Sequence, residues 1–118
     1  MENILQEQSL EFATKIVLLC NNIQTHHVLT SQLLKSGTSI GANIREAYYA
    51  QSSADFVSKL HIALKECYET EYWLELFYKT NLLSEKEYSP LKKESGKIRM
   101  RLISSIDTVK EKYDLKKF

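Results

Sequence analysis

The feature that most constrains the fold is a stripe of apolar and small residues between Phe56 and Phe77. Its members are separated alternately by four and three positions: Phe56, Leu60, Ala63, Cys67, Thr70, Leu74 and Phe77. Because an α-helix completes a turn about every 3.6 residues, this alternation places all of these side chains on one helix face. The stripe therefore predicts a long amphipathic helix, which we expect at residues 53–81.

Three further segments show the same helical periodicity. The first, at residues 9–24, has two apolar rows that form one wide face: Leu10, Ala13, Val17 and Cys20, and beside them Phe12, Ile16, Leu19 and Ile23. The second, at residues 27–50, has the stripe Leu33, Gly37, Ile40, Ile44 and Ala47. The last, at residues 84–113, has the stripe Leu91, Ser95, Ile98, Leu102, Ile106 and Val109. We therefore expect four helices.

Serine residues mark where these helices are expected to begin. Ser9 is the predicted N-cap of the first helix, since its hydroxyl can accept a hydrogen bond from an unpaired amide. Residues 52–53 offer a cap for the third helix. Ser84 and Glu87 have the spacing of a capping box at the start of the fourth. Pro90 follows early in that helix and is expected to bend it or to delay its start.

The second helical segment contains two glycines four residues apart. The apolar stripe keeps its phase across Gly37 and Gly41, which predicts one continuous helix through both, although each glycine costs about 1 kcal/mol relative to alanine. The alternative is a helix break at residues 36–39. On a continuous helix the pair lets a neighbouring backbone approach closely. The other interpretation is a seat for a ligand or phosphate, although the segment matches neither a P-loop nor a dinucleotide-binding fingerprint.

The composition and the short connections together predict the architecture. Only three glycines and one proline occur among 118 residues, which argues against a fold of many short strands. Because the connections are only about two residues long, consecutive helices should pack as antiparallel neighbours. We therefore predict an all-α fold, an antiparallel up-down-up-down four-helix bundle, with residues 1–118 forming a single domain.

The sequence lacks the motifs of common catalytic and metal sites. A di-iron carboxylate bundle needs Glu-x-x-His on two helices, and no glutamate here has a histidine three residues later. No serine or cysteine lies in a recognisable nucleophile motif. Cys20 and Cys67 occupy apolar helix positions and are expected to be buried free thiols. We therefore predict no catalytic residue, no metal and no cofactor.

Several polar residues lie on or beside the predicted buried faces of the second and third helices. They are Asn43, Arg45, Glu46, Glu66 and Glu69. A partly buried charge is costly unless it is paired. We therefore expect Asn43, Arg45 and one of the carboxylates, Glu66 or Glu69, to form polar bridges between the second and third helices.

Aromatic side chains on the second and third helices exceed what one packing contact needs. The candidates are Tyr48, Tyr49, Tyr68, Tyr72, Trp73 and Phe77. Tyrosine and tryptophan are enriched where protein surfaces meet partners. The cluster is therefore interpreted either as the interface of an oligomer or as ordinary core and flank packing.

Basic residues are concentrated toward the end of the chain. Ten of the 16 lysines and arginines lie in residues 85–118, against six of the 15 acidic residues. The fourth helix carries Lys92, Lys93, Lys97, Arg99 and Arg101. These side chains either follow the phosphate backbone of RNA or DNA or form an ordinary solvated helix face.

The chain offers no segment that could cross or enter a membrane. The longest apolar run, Ile16–Cys20, is far shorter than the roughly 20 residues that a spanning helix needs. Residues 1–8 lack the apolar stretch of a signal peptide. We therefore expect a cytoplasmic protein without membrane contact.

The run from Gln32 to Trp73 resembles a known family. The resemblance is carried by Gln32-Leu33-Leu34-Lys35-Ser36, Ser39-Ile40-Gly41-Ala42-Asn43-Ile44-Arg45-Glu46-Ala47, Asp55-Phe56, Leu60, Ile62-Ala63-Leu64-Lys65-Glu66, Glu69-Thr70 and Tyr72-Trp73-Leu74. The pattern is similar to that of the four-helix bundle proteins encoded in intervening sequences of bacterial large-subunit ribosomal RNA genes. The accessory variability determinant of diversity-generating retroelements is a relative of that family.

The resemblance implies a small bacterial bundle that assembles into a homopentameric ring or barrel, in a family most of whose members have no established activity. The retroelement relative binds a reverse transcriptase and nucleic acid through basic surfaces. For this chain we therefore expect a non-enzymatic homo-oligomer, with five subunits implied by the resemblance, that acts as a scaffold for a protein or ribonucleoprotein partner. The alternative is a protein that binds RNA or DNA directly through the basic face of its fourth helix.

Overall fold

The computed structural model describes residues 3–113 as four α-helices. Helix α1 spans Ile4–Asn21, α2 spans His27–Ala47, α3 spans Ser53–Lys79 and α4 spans Glu85–Tyr113. No strand occurs among the described residues, which confirms the predicted all-α class. The predicted domain of residues 1–118 also includes residues 1–2 and 114–118, which lie outside the described part. Within residues 3–113, no helix combines the length and apolar character needed to cross a membrane.

The helices form a bundle in which each helix contacts two neighbours, with α4 returning to α1. Successive helices run in opposite directions, because Ile16 of α1 lies against Gly37 whereas the earlier Ser9 lies against the later Gly41. The next two helix pairs show the same reversal in these contacts: Glu46 with Lys59 and Ser36 with Thr70; Glu71 with Ser95 and Tyr78 with Glu85. The four-helix bundle predicted from the short connections is therefore the observed architecture.

The core is built from the predicted stripes of α2, α3 and α4. Every stripe residue of α2 is buried, while Phe56 of α3 and Val109 of α4 are half-buried at the ends of theirs. The large side chains with almost no exposed surface are Phe12, Ile16, Leu33, Ile40, Ile44, Val57, Leu60, Leu74, Phe77, Leu83, Ile98 and Leu102. Burial of each such side chain contributes about 1.5–3 kcal/mol to folding. The core therefore holds the bundle together without a disulfide, since both cysteines are free.

Helix α1 begins earlier than the sequence predicts. It starts at Ile4, and Asn3 is its N-cap, because the Asn3 side chain accepts a hydrogen bond from the amide of Gln6 at 3.0 Å. The predicted cap, Ser9, lies inside the helix and is buried. The prediction was wrong because a small hydroxyl residue is favoured both as a cap and at a close helix contact, and here Ser9 faces Gly41.

Only one of the two apolar rows predicted for α1 belongs to the core. Phe12 and Ile16 are fully buried, whereas Leu10 and Val17 of the other row are exposed. Cys20, from the exposed row, returns to the core at the end of the helix. An apolar row on α1 is therefore left on the surface of the bundle.

The two glycines of α2 do not interrupt the helix, so the alternative break at residues 36–39 is wrong. Neither Gly37 nor Gly41 adopts a left-handed backbone, and both continue the helical hydrogen bonding. The helix ends at Ala47, three residues before the predicted end at residue 50. The small size of the glycines, and not their flexibility, is therefore what α2 uses.

The caps of α3 and α4 follow the sequence prediction. Ser52 Oγ accepts a hydrogen bond from the Asp55 amide at 3.1 Å. At α4, Ser84 Oγ accepts from the Glu87 amide at 3.1 Å, and Glu87 Oε1 accepts from the Ser84 amide at 2.9 Å, which completes the capping box. Pro90 lies inside α4, which already begins at Glu85, so the proline does not delay the helix.

Candidate interaction surfaces

The contact between α1 and α2 depends on the missing side chains of the two glycines. A Cβ atom placed on Gly37 would lie 2.9 Å from Cγ2 of Ile16, which is closer than real carbon contacts allow. A Cβ on Gly41 would lie 3.3 Å from Oγ of Ser9 and 3.4 Å from its carbonyl oxygen. The patch of small residues on α2 therefore seats α1, and no ligand is needed to explain it.

The predicted polar bridges between α2 and α3 do not form as expected. Asn43 Nδ2 donates to the Ser39 carbonyl at 2.9 Å, within its own helix. Glu69 Oε2 accepts from Trp73 Nε1 at 3.1 Å, also within one helix. Arg45 is exposed and makes no ion pair with any residue in the described range. The prediction failed because the partner of a polar side chain depends on how each helix is rotated, which residue spacing alone does not determine.

Other residues join α2 to α3. Thr70 Oγ1 donates to Ser36 Oγ at 2.9 Å, and both side chains are buried. Lys59 Nζ lies 3.3 Å from Glu46 Oε1, so Glu46 is the one predicted polar residue that pairs across these helices. Glu66 is half-buried, and its burial, with a smaller effect from the nearby Glu69 carboxylate, raises the pKa of its carboxyl group. The α2–α3 contact therefore combines one buried hydroxyl pair with one exposed ion pair.

A polar network that the sequence did not reveal joins α3 to α4. Arg99 Nε donates to both carboxylate oxygens of Glu71, at 3.2 and 3.3 Å, and Ser95 Oγ donates to Glu71 at 3.4 Å. The guanidinium of Arg99 also lies 5.9 Å from the centre of the Tyr68 ring. Cys67 Sγ donates to the Ser95 carbonyl at 3.4 Å. Arg99, predicted as a nucleic-acid contact, is therefore engaged within the bundle.

The other basic residues of α4 that the sequence predicts as nucleic-acid contacts divide into two groups. Lys92 lies over the ring of Tyr88, with Nζ 5.8 Å from its centre. Lys93, Lys97 and Arg101 are exposed and form no ion pair within residues 3–113. We call these three residues the basic row. Because they are four residues apart, they follow one side of α4 at intervals of about 6 Å.

The predicted aromatic residues of α3 form an exposed face. Tyr68 is 52% exposed and Tyr72 is 58% exposed, while Trp73 is half-buried with its ring edge against Tyr72, at 5.0 Å between ring centres. Ile62, also exposed, lies on the same side of the helix as Trp73 by its spacing, with Tyr72 beside them and Tyr68 farther around the helix, near Arg99 of α4. We call Ile62, Tyr68, Tyr72 and Trp73 the α3 aromatic face. Leaving several large side chains with apolar surface exposed together to water is unfavourable, and such clusters are typical of surfaces that contact a partner.

The other predicted interface residues are placed elsewhere. Phe77 is fully buried in the core, so its interpretation as an interface residue is corrected: its spacing matches the core stripe, which aromatic identity alone concealed. Tyr48 packs edge-on against Phe56, with 5.3 Å between ring centres. Tyr49 is 82% exposed beyond the end of α2. Tyr48 is nevertheless 43% exposed, so of the six predicted aromatic residues Phe77 alone has no exposed surface.

The two thiols are poorly suited to nucleophilic chemistry. Burial raises the pKa of Cys20 to about 11 and that of Cys67 to about 12. Both thiols are therefore protonated near neutral pH, and the thiolate is the reactive form. Among residues 3–113, no group of three or more histidine, cysteine or acidic side chains is arranged to hold a metal ion.

Comparison with known proteins identifies the relatives of this chain. Residues 1–104 match the family model described as 23S rRNA-intervening sequence protein. The fold is similar to the crystal structure of a protein with unknown function from the S23 ribosomal protein family of Bacteroides thetaiotaomicron VPI-5482, with a TM-score of 0.85 and 51% identity. That match covers 87% of this chain and 98% of the other. No curated protein matches the chain.

Proposed function

The chain belongs to the 23S rRNA-intervening sequence protein family, and from that premise we propose that it is a non-enzymatic, homo-oligomeric scaffold for a protein or ribonucleoprotein partner. The family predicted from residues 32–73 is thereby confirmed, since its model matches most of the chain. A pentamer and a cytoplasmic location are the finer parts of the proposal. The pentamer is what the resemblance to this family implies.

The observation that carries this proposal is the basic row on α4. Lys93, Lys97 and Arg101 extend from the bundle with no acidic partner among the described residues, whereas Arg99 is paired with Glu71. Unpaired cations along one side of a stable helix attract an anionic surface and increase the rate of association. The basic row supports a role in binding a negatively charged partner, and the bundle supplies the rigid support.

The environment of the titratable side chains supports a non-enzymatic role. Catalytic sites usually combine a cleft with titratable groups of shifted pKa that lie close together. Here the strongly shifted groups are two buried thiols on different helices, each raised by burial. The half-buried Glu71 is already paired with Arg99. Burial of the two thiols and the pairing of Glu71 with Arg99 are therefore consistent with structural roles for these residues.

The homo-oligomeric part of the proposal is tested by the mass in solution. Light scattering on the purified chain should give a mass near five times the 13.7 kDa of one subunit. A mass of one subunit at all concentrations would contradict the scaffold assembly. A stable oligomer with another subunit number would retain the scaffold and correct the pentamer.

The partner-binding part is tested by reversing the charge of the basic row. The triple variant Lys93→Glu, Lys97→Glu and Arg101→Glu should lose the ribonucleoprotein or protein that the wild-type chain co-purifies from its native cells. The matched control is Lys93→Arg, Lys97→Arg and Arg101→Lys, which keeps the charge and should keep the partner. Circular dichroism should show equal helicity for both variants. Equal recovery of the partner by the charge-reversed chain would contradict this role of the basic row.

A second candidate function is direct binding of RNA or DNA, which the same unpaired row favours. Phosphate contacts release counterions, so the logarithm of the affinity should fall linearly with the logarithm of the salt concentration. Changing all three residues of the basic row to glutamine should reduce that slope by about 3. Fluorescence anisotropy with a labelled duplex and a labelled single strand measures the slope. Binding that does not respond to salt would exclude this candidate.

A further inference from the structure

An uncharged strip follows the outer side of the contact between α1 and α2. It consists of the exposed row of α1 and the facing residues of α2: Leu10, Ala13, Val17, Leu34, Thr38 and Ala42. We call these six residues the α1–α2 seam. Charged residues make up 26% of the chain, yet none of the six carries a charge. Depletion of charge is typical of the centre of a protein interface.

The end of the seam that contains Leu10 and Ala42 forms a groove with a volume of about 470 Å³. Small side chains line much of it, including Ala13, Thr38, Gly41 and Ala42. Gly41 lies directly against Ser9, so α1 and α2 approach closely there. The small side chains beside this close contact leave the space of the groove open. A groove of this kind can receive bulky side chains from another surface.

The α3 aromatic face has the opposite shape. Its two tyrosine rings, Tyr68 and Tyr72, are more than half exposed on a helix that takes no part in the seam. Rings bury a large apolar area at a low cost in side-chain entropy. One chain therefore carries a groove of small residues and, elsewhere on its surface, a ridge of large ones.

The charges at the two surfaces are also complementary. Arg45 and Glu46 line one end of the groove. Glu46 is paired with Lys59 at 3.3 Å, whereas Arg45 makes no ion pair within the described residues. Glu69, which accepts the indole hydrogen bond of Trp73 beside the α3 aromatic face, also has no cationic partner in that range. Lys65 is exposed one helical turn from Glu69 but forms no ion pair with it, and its long side chain can keep the ammonium group in water if the surface is covered. An unpaired cation at one surface and an unpaired carboxylate at the other would attract each other if the two surfaces met.

We infer that the α1–α2 seam of one copy of this chain binds the α3 aromatic face of a second copy. This inference depends on the homo-oligomer of the proposed function and specifies its interface. Because the two surfaces differ, the contact is head-to-tail, and each added subunit leaves one seam and one aromatic face free. Such a contact closes into a ring when the rotation between subunits allows it, whereas a symmetric pair would stop at two.

Two variants that each block one surface test the head-to-tail contact. Ala42→Glu places a carboxylate in the groove, and Tyr72→Glu places one on the aromatic face. Both positions are exposed in the single chain, so both variants should keep wild-type helicity. Each variant alone should have the mass of one subunit by analytical ultracentrifugation. Met100→Glu, which removes an equally exposed apolar side chain from α4, is the control and should assemble like wild type.

Mixing the two variants gives the decisive result. Ala42→Glu retains an intact aromatic face and Tyr72→Glu retains an intact seam, so the mixture should form a complex of two chains and no larger species. The single tryptophan, Trp73, should then shift its emission to shorter wavelength as it leaves water. A mixture that stays monomeric, or shows no such shift, would overturn the inference.

Other outcomes separate this inference from the proposed function. A wild-type chain that is itself monomeric would contradict the homo-oligomer and, with it, the interface. A wild-type oligomer that both variants preserve would overturn the interface alone. If only Ala42→Glu dissociates the oligomer, the seam binds another seam; if only Tyr72→Glu does, the aromatic face binds another aromatic face. Either result would overturn the head-to-tail contact and leave the homo-oligomer intact.

Discussion

The contacts α1–α2 and α3–α4 lie on opposite sides of the bundle and are stabilised in different ways. The first depends on close approach, since Gly37 and Gly41 leave room only for Ile16 and Ser9. The second depends on polar pairing, centred on the contact of Glu71 with Arg99. A contact based on shape is sensitive to added volume, whereas a contact based on pairing is sensitive to the loss of one partner.

The difference extends to the outer surface. Helices that approach through small residues leave a groove outside, and the six residues of the α1–α2 seam beside it carry no charge. Helices joined by charged residues leave charge outside, and α4 carries the basic row. One side of the bundle is therefore suited to contacts between apolar surfaces and the other to contacts with anions. Four variants, in decreasing order of expected effect, test how far the two contacts differ.

Gly37→Leu should have the largest effect, because its side chain must enter space already filled by Ile16. Overpacking of this kind costs about 1–3 kcal/mol of the free energy of unfolding, and occasionally more. Urea denaturation followed by circular dichroism measures the change. The matched control is Gly96→Leu on α4, where a new Cβ would meet only Arg99 Nη2 at 3.6 Å and stability should not fall. Equal stability of the two variants would mean that the α1–α2 contact is not set by shape.

Glu71→Gln should have the next largest effect, because it leaves the half-buried guanidinium of Arg99 without a charged partner. We expect a loss of about 1.5 kcal/mol in the free energy of unfolding. A double-mutant cycle with Arg99→Met should show a coupling free energy, which a merely local effect would not produce. The control is Glu46→Gln, whose exposed pair with Lys59 should contribute only a few tenths of a kcal/mol. A coupling free energy near zero would remove the polar account of the α3–α4 contact.

Ser84→Ala tests whether α4 also depends on its cap. The variant removes the acceptor for the Glu87 amide, and the cost should be about 1 kcal/mol. Thermal unfolding by circular dichroism measures the loss. Ser104→Ala, at an exposed position inside the same helix, should be neutral or slightly stabilising. If the two variants have the same melting temperature, the capping box makes no measurable contribution to the free energy of unfolding.

Glu66→Gln should have the smallest effect and a distinct pH dependence. Burial raises the pKa of Glu66 above its ordinary value of 4.5, so the folded state binds this proton more tightly than the unfolded chain does. The stability that this group contributes is therefore present at low pH and is lost as the pH rises through its raised pKa. Glu66→Gln should remove this part of the pH dependence and should be slightly more stable than wild type at pH 7. Urea midpoints measured for both proteins from pH 4 to pH 7 test this, and parallel curves would contradict it.

Periodicity and capping account for most of the predictable fold. Three of the four helices begin within one residue of their predicted starts, because Ser52 and Ser84 act as caps and the α2 stripe keeps its phase. Helix α1 was harder, since its two rows are equally apolar and only the position of α2 decides which row is buried. The local sequence therefore predicts where a helix lies more reliably than which way it faces.

The interaction surfaces were less predictable because they depend on that rotation. The sequence groups Lys93, Lys97 and Arg101 with Lys92 and Arg99, but only the first three have neither an ion pair nor a ring contact among the described residues. Glu71 was missed as the partner of Arg99, although one signal was available. Counting equal distances outward from the connection at residues 80–84 brings Glu71 close to the turn that contains Ser95 and Arg99. The antiparallel register of α3 and α4 is therefore a signal in the sequence for this network.

The two buried thiols allow local opening of the bundle to be measured by the rate at which each thiol is alkylated. A thiol reagent can reach Cys20 only when the end near the α1–α2 connection separates, and Cys67 only when α3 parts from α4. Alkylation rates at the two positions therefore distinguish fraying of one end from opening of the interior. A ligand that binds only the folded state should slow any alkylation that requires unfolding. Binding of a partner can therefore be detected from the alkylation rates even when no reaction of that partner can be assayed.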